Sequence, residues 1–176
     1  YKTIVKVAGT WATGGTLNNA KEKGAGAGIQ TAGLFFGSIP QIATSEEYDG
    51  SAWAEGDDLN SGRGGQAGFG TQTAAFSAAG ETSTYVALVE SYDGSSWTET
   101  TDVNTARGAI KGCGTTAAGM VVCGAVNPPN FSTLNEQWNG SSWSEDADTN
   151  EGKNSGGCVG ITTAAIYFGG FTPSAT

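Results

Sequence analysis

The chain has 176 residues, of which 38% are hydrophobic and 14% are charged, and its formal net charge is −9. This composition is typical of a folded domain, and the acidic balance argues against nucleic acid and anionic membranes as partners. Histidine is absent, which removes the commonest general base and metal ligand, so the sequence predicts neither an enzyme nor a cofactor.

The predicted elements begin with two N-terminal strands, one at 3–8 and one from Trp11 onward. Repeat units then follow at about 21–62, 63–106, 107–152 and 153–176. Because the sequence begins with Tyr1 and not with methionine, we expect a processed, trimmed or fragmentary chain.

The unit at 63–106 shows four predicted strands, at 63–70, 71–79, 85–92 and from Trp97 onward. Side chains at 85–92 alternate with the period of two expected of a strand. Asp93-Gly94 predicts a hairpin turn, since glycine readily adopts the positive φ that such turns require. Each unit therefore predicts one antiparallel four-stranded sheet.

A tryptophan-containing segment marks the repeat. Glu90-Ser-Tyr-Asp-Gly-Ser-Ser-Trp97 recurs at 46–53 and 136–143, and a degenerate copy lies at 5–11. Successive spacings of 42, 44 and 46 residues separate the four tryptophans, Trp11, Trp53, Trp97 and Trp143. A fixed period in this range indicates a repeat architecture. The last unit has only two predicted strands. If the two chain ends are joined, Trp11 follows Trp143 by 44 residues, which matches the other spacings and predicts a closed ring.

The repeat resembles the kelch repeat in the basic residue that opens strand one, the apolar run ending in glycine, the Glu-x-Tyr-Asp motif and the tryptophan that follows. The resemblance covers essentially the whole chain, although the period is about 44 residues and not roughly 50. The sequence is similar to kelch-like repeats of bacteriophage and marine environmental sequences, which tend to occur in virion or tail-associated proteins. The resemblance implies a β-propeller.

We therefore expect an all-β, single-domain protein over 1–176, built as a four-bladed β-propeller of four-stranded antiparallel blades. The N-terminal strands, within 1–20, would complete the last blade and close the ring. The four tryptophans are expected to lie between blades. Recurrent acidic residues, Glu46, Glu90 and Glu136, are expected to pair with Arg63 and Arg107; the alternative is a set of catalytic carboxylates.

Two other features predict surface chemistry. The connectors between strands four and one carry nine of the 17 carboxylates, and Asp146, Asp148 and Asn150 have the alternating oxygens of a calcium loop. Turn and capping chemistry explains the same residues, because Asp-x-Asn recurs in every full connector. No metal is therefore expected. The three cysteines, Cys113, Cys123 and Cys158, lack metal-binding spacing and are interpreted as small buried residues, with their redox state left open.

The connectors between strands two and three do not repeat, and such variable loops commonly carry binding residues. The longest, at 125–133, offers amide groups beside an aromatic ring, as a sugar-binding surface would. Ligand or partner contacts are expected at Asn127, Asn130, Phe131, Phe171 and Thr172.

Two functions are compatible with these features. The first is a non-enzymatic extracellular or virion-displayed module for recognition or decoration, which binds a host-surface glycan or protein. The alternative is a purely structural propeller subunit that packs against copies of itself or against other virion proteins, as a homo-oligomer or a mixed assembly.

Overall fold

The computed structural model describes residues 2–7, 9–127 and 130–172, with side chains from residue 9 onward. Over these residues the protein is all-β, with sixteen strands and no helix. Five antiparallel sheets are formed, three with four strands and two with two strands. The part of the chain that the structure describes has no helix long and apolar enough to cross a membrane.

The four-stranded sheets follow chain order, so each is a meander. Unit 1 contains β3 (Ala25–Ile29), β4 (Ala32–Ser38), β5 (Ile42–Tyr48) and β6 (Trp53–Glu55). Unit 2 contains β7 (Ala67–Thr71), β8 (Ala74–Glu81), β9 (Tyr85–Tyr92) and β10 (Trp97–Thr100). Unit 3 contains β11 (Lys111–Gly114), β12 (Gly119–Val122), β13 (Asn135–Trp138) and β14 (Trp143–Asp146).

Each end of the chain forms a two-stranded hairpin. The N-terminal hairpin pairs β1 (Lys2–Val7) with β2 (Thr10–Thr16). The C-terminal hairpin pairs β15 (Gly157–Ile161) with β16 (Ala164–Phe168). The C-terminal hairpin corresponds to strands one and two of a unit, and the N-terminal hairpin corresponds to strands three and four.

The first strands of consecutive units lie side by side, with β3 against β7, β7 against β11 and β11 against β15. These strands are rich in glycine because their backbones approach closely. A Cβ placed on Gly68 would lie 2.8 Å from the Ala25 Cβ, and one on Gly112 would lie 2.7 Å from Phe69 Cδ1. The glycines of the first strands therefore lie where neighbouring units crowd together.

The strands differ in detail from their predicted bounds. The third strand of unit 2 and the start of its fourth strand are as predicted, but the first strand begins at Ala67 and not at Arg63. The backbone before Ala67 leaves the extended conformation, since Gly65 has a φ of 63°. Arg63 instead sends its side chain into the unit, where it donates to the carbonyls of Ala79 and Ser77.

Aromatic rings fill the spaces between units. Trp97 lies 4.8 Å from Phe36 of unit 1, measured between ring centroids, and Trp143 lies 6.4 Å from Phe76 of unit 2. Both tryptophans are buried, as predicted. Trp53 is only half-buried. The expectation that Trp11 lies between blades is wrong, because its side chain is 71% exposed.

The ring closure expected from the sequence is not formed among the described residues. β1 pairs with β2 alone and β16 with β15 alone, so the predicted pairing of 3–8 beside the strand that ends at Phe168 is absent. One physical reason lies in the sequence: position 5 of the degenerate copy is valine, where the other copies have glutamate. The N-terminal hairpin thus lacks the acid that pairs with the basic residue before strand one in the three four-stranded units. Ala8, the end of the predicted strand, lies outside the described residues.

Candidate functional site

The recurrent glutamates are buried, and each contacts the connector that enters one of the three four-stranded units. Glu90 accepts hydrogen bonds from the backbone N–H groups of Asn60 and Ser61 at 2.6 and 3.2 Å, and it pairs with Arg63. The expected pairing with Arg63 and Arg107 is therefore present for Glu90 and Glu136, whereas Glu46 pairs with Lys21. Corresponding contacts join Glu136 to Asn104, Thr105 and Arg107, and Glu46 to Asn18, Asn19 and Lys21.

These carboxylates are occupied by the framework. Glu46, Glu90 and Glu136 have no exposed surface, and both oxygens of each accept hydrogen bonds from the connector or the basic side chain. Burial lowers the pKa of Lys21 and of Arg107, and the adjacent carboxylates of Glu46 and Glu136 oppose that shift. The arrangement holds connectors in place and leaves these acids without a free face for a substrate.

The predicted contact residues come together in part. The rings of Phe131 and Phe171 meet edge to face, with centroids 5.7 Å apart, and Phe171 is 59% exposed. Each phenylalanine is fixed by a short bridge, Phe131 to Ala125 and Phe171 to Asn154. Thr172 is half-buried beside them in sequence.

The two asparagines lie in a turn. The Asn130 N–H donates to the Asn127 carbonyl at 3.2 Å, the Val126 N–H donates to the Asn130 carbonyl at 3.0 Å, and both asparagines are exposed. Pro128 and Pro129 lie outside the described residues. Asn127 also faces unit 2, where it lines a cleft of about 370 Å³ with Glu81, Thr82, Ser83, Thr84 and Tyr85.

A second cleft, of about 320 Å³, lies where the first strands of all units begin, and we call it the axial cleft. Its wall contains one equivalent residue from each unit, Lys23, Gly65, Ala109 and Ser155, all with positive φ. Backbone hydrogen bonds join these positions: Gly65 N–H donates to the Lys23 carbonyl at 2.7 Å, and Ser155 N–H donates to the Ala109 carbonyl at 3.0 Å. Glu81 and Tyr85 line both clefts, which therefore adjoin.

None of the residues that line the axial cleft was predicted as a contact residue, and Lys111 is the most informative of them. Burial lowers the pKa of its ammonium, and no described residue hydrogen-bonds or ion-pairs with that group. Nearby, Lys23 pairs with Glu81 at 3.1 Å. The sequence does distinguish Lys111 from its equivalents in the repeat, because the other units have a small residue there, Ala25, Ala67 or Gly157.

Two of the three calcium-like residues, Asp146 and Asp148, accept hydrogen bonds from other side chains. Asp146 accepts from the side-chain amide of Gln137, and Asp148 accepts from the Thr133 hydroxyl at 3.0 Å. Within the described ranges no group of three or more histidine, cysteine, aspartate or glutamate residues could hold a metal ion. Asp146, Asp148 and Asn150 are all exposed, and the Asp146 contact joins β14 to the neighbouring strand β13.

The candidate site is therefore a recess formed by the two adjoining clefts, with the Phe131–Phe171 pair as a separate exposed aromatic platform. Comparison with known proteins adds no identification: no protein-family model matches the chain, and no curated protein matches its sequence.

Proposed function

We propose that the chain is a non-enzymatic recognition module, displayed outside the cell or on a virion, that binds a host-surface glycan or protein. The observation that supports this most directly is the contrast between a repeated frame and a non-repeating recess. The buried glutamate contacts recur in three units, whereas Lys111, Glu81 and Asn127 at the recess have no equivalents in the other units.

The chemistry of the recess favours a hydroxyl-rich or acidic ligand. Lys111 offers an ammonium without a partner among the residues that the structure describes, while Asn127 and Tyr85 offer amide and phenol groups at the same surface. Binding sites typically combine a concave surface with a few polar groups that orient the ligand. The Phe131–Phe171 platform adds an aromatic face of the kind on which a sugar ring stacks.

We also propose that the fold is a kelch-like, four-bladed propeller in which the two terminal hairpins are halves of one blade. The hairpins supply complementary strand pairs, one and two from β15–β16 and three and four from β1–β2. Trp97 and Trp143 each face the second strand of the preceding unit, so a closed ring would place half-buried Trp53 over β16. Exposed Ile166 and Phe168 on β16 would then be covered.

A glycan array tests the recognition function. The wild-type chain should bind a restricted set of glycans, and Lys111→Gln and Asn127→Ala should each weaken that binding. Lys153→Gln is the matched control, because Lys153 pairs with Glu151 and does not itself line either cleft. A wild-type chain that binds no glycan and no host-surface protein would contradict the recognition function.

A purely structural subunit is the second candidate, and a specific observation favours it. The exposed large apolar side chains include residues of both open ends, Ile29 on β3 and Val159, Ile161, Ile166 and Phe168 on the C-terminal hairpin. Contiguous exposed apolar surface commonly marks a protein–protein interface. Under this function, sedimentation should show a concentration-dependent assembly that charged substitutions at Ile166 and Phe168 abolish.

A further inference from the structure

Two of the three cysteine side chains meet between the third unit and the C-terminal hairpin. The Sγ atoms of Cys113 on β11 and Cys158 on β15 are 3.1 Å apart, and the Cys158 thiol donates toward the Cys113 sulfur. Cys113 is buried and Cys158 is half-buried. Cys123 lies in the same apolar cluster, but its described side-chain contact is with the Thr149 hydroxyl at 3.3 Å.

This sulfur contact replaces a different pair at the preceding junction. Cys113 is equivalent to Phe69 in the repeat, and Cys158 is equivalent to Gly112. Between units 2 and 3, the Phe69 ring occupies the space beside Gly112, so a Cβ at 112 would lie 2.7 Å from Phe69 Cδ1. Between unit 3 and the C-terminal hairpin both positions differ from the repeat. Cys113 stands where unit 2 has the Phe69 ring, and Cys158 stands where unit 3 has Gly112.

We propose that Cys113 and Cys158 form an inter-unit disulfide through exchange with a low-molecular-weight disulfide such as oxidised glutathione. The half-buried Cys158 thiolate attacks the glutathione disulfide, which forms a mixed disulfide and releases one glutathione thiolate. The Cys113 thiolate then attacks the Cys158 sulfur and releases the second glutathione. Two protein thiols lose two protons and two electrons, and the oxidant is reduced to two glutathione molecules.

The exposure of the two thiols suits this order, because Cys158 is half-buried and open to the oxidant whereas Cys113 is buried. The hydrogen bond from Cys158 lowers the pKa of the Cys113 thiol, whereas that hydrogen bond and burial raise the pKa of Cys158, so the first attack should become faster as the pH rises. Once Cys158 is in the mixed disulfide, the buried Cys113 is the nearest thiol to the sulfur that must be attacked. The two sulfurs need to approach from contact distance to about 2.05 Å, which small side-chain movements can supply.

The bond would tie the C-terminal hairpin to the rest of the chain. Its partners are 45 residues apart, and it would join two first strands that share no backbone ladder. Since Lys111 and Ser155 line the axial cleft from these same two segments, the bond would also fix that side of the recess.

The test uses the whole folded chain, equilibrated in a glutathione redox buffer and then alkylated under denaturing conditions. Peptide mass spectrometry should find one cross-linked peptide pair containing Cys113 and Cys158, lighter than the two thiol forms by two hydrogen atoms. Cys123 should carry the alkyl group. Alkylation of all three cysteines, a linkage that includes Cys123, or glutathione retained on Cys158 without the cross-link would each overturn the proposal.

Two variants make the thermal consequence specific. Oxidation should raise the Tm of the wild-type chain, and Cys158→Gly, which restores the residue of the other three units, should abolish that rise. Cys123→Ala is the control, because the equivalent residue in unit 2 is Ala79 with the same φ of 57°. This variant should keep the full rise; loss of the rise in Cys123→Ala, or its persistence in Cys158→Gly, would contradict the assignment.

Discussion

The Arg63 guanidinium and the Glu90 carboxylate form an ion pair whose side chains are 0% and 1% exposed. Arg63 also donates to the Ala79 carbonyl of the second strand, while Glu90 accepts from the backbone of the connector at Asn60. One buried pair therefore joins the connector, the second strand and the third strand of unit 2. Equivalent buried ion pairs recur in units 1 and 3.

Breaking that pair should be costly. Arg63→Met leaves the Glu90 carboxylate buried without its cation, and the loss of unfolding free energy should be about 3–5 kcal/mol. Chemical denaturation measures the loss. Lys153→Met is the control, because the Lys153–Glu151 pair is partly exposed and should contribute only about 0–1 kcal/mol. Equal effects of the two substitutions would show that the buried pair is not structural.

Truncation of Trp11 and truncation of Trp97 should change the free energy of unfolding by different amounts. Trp97→Ala removes a buried ring that contacts Phe36 and Tyr92, so it should cost about 3–5 kcal/mol in chemical denaturation. Trp11→Ala should change the stability by less than about 1 kcal/mol, because the Trp11 side chain is largely exposed. A small effect at Trp97 would contradict its place in the core.

Local patterns made much of the fold predictable. The strand at 85–92 and the hairpin at its Asp-Gly turn were predicted from neighbouring residues, and both are formed as predicted. The glutamate–arginine pairing was predictable because both partners recur in register. Closure of the ring was not, since it depends on contacts between distant halves of the chain that no local pattern specifies.

The candidate site was predictable only in part for a related reason. Variable connectors indicated Phe131 and Phe171, which do meet, but the axial cleft arises where four equivalent backbone positions converge. Lys111 enters that cleft because the neighbouring first strands pack beside it. The sequence shows that Lys111 stands where the other units have alanine or glycine, but it does not show which residues surround the Lys111 side chain.

The proposed closure predicts an energetic coupling between Trp53 and Phe168. In a closed ring Trp53 would face β16 as Trp97 faces Phe36, so a double-mutant cycle of Trp53→Ala and Phe168→Ala should give a coupling of about 0.5–1.5 kcal/mol. The Trp97–Phe36 pair provides the positive control. A coupling energy of zero would show that the two hairpins do not come together. A coupling energy that grows with protein concentration would show that the contact forms between two copies of the chain.

Lys111 should make stability depend on pH in a defined direction. Burial lowers the pKa of its ammonium in the folded chain, so above that folded pKa the unfolded chain binds more protons. The cost of burying the charge is present in full below the folded pKa and is relieved as pH rises toward the unfolded value near 10.5. Lys111→Gln should therefore be more stable than wild type at neutral pH, and the difference should shrink at alkaline pH. A difference that is constant with pH in urea unfolding would contradict this origin.

The aromatic platform provides the most direct test of recognition by the variable loops. Phe171 is mostly exposed, so Phe171→Ala should remove binding surface while the Tm changes little. Phe131 is half-buried and its ring meets that of Phe171, so Phe131→Ala should cost somewhat more stability, about 0.5–1.5 kcal/mol beyond the lost burial. If the platform binds the partner, both substitutions should abolish binding or assembly to a similar extent. Loss of binding only in Phe131→Ala, together with early unfolding, would show that Phe131 supports the 125–133 loop and does not contact the partner. Normal binding by both variants would place the binding surface elsewhere, with the recess around Lys111 as the remaining candidate.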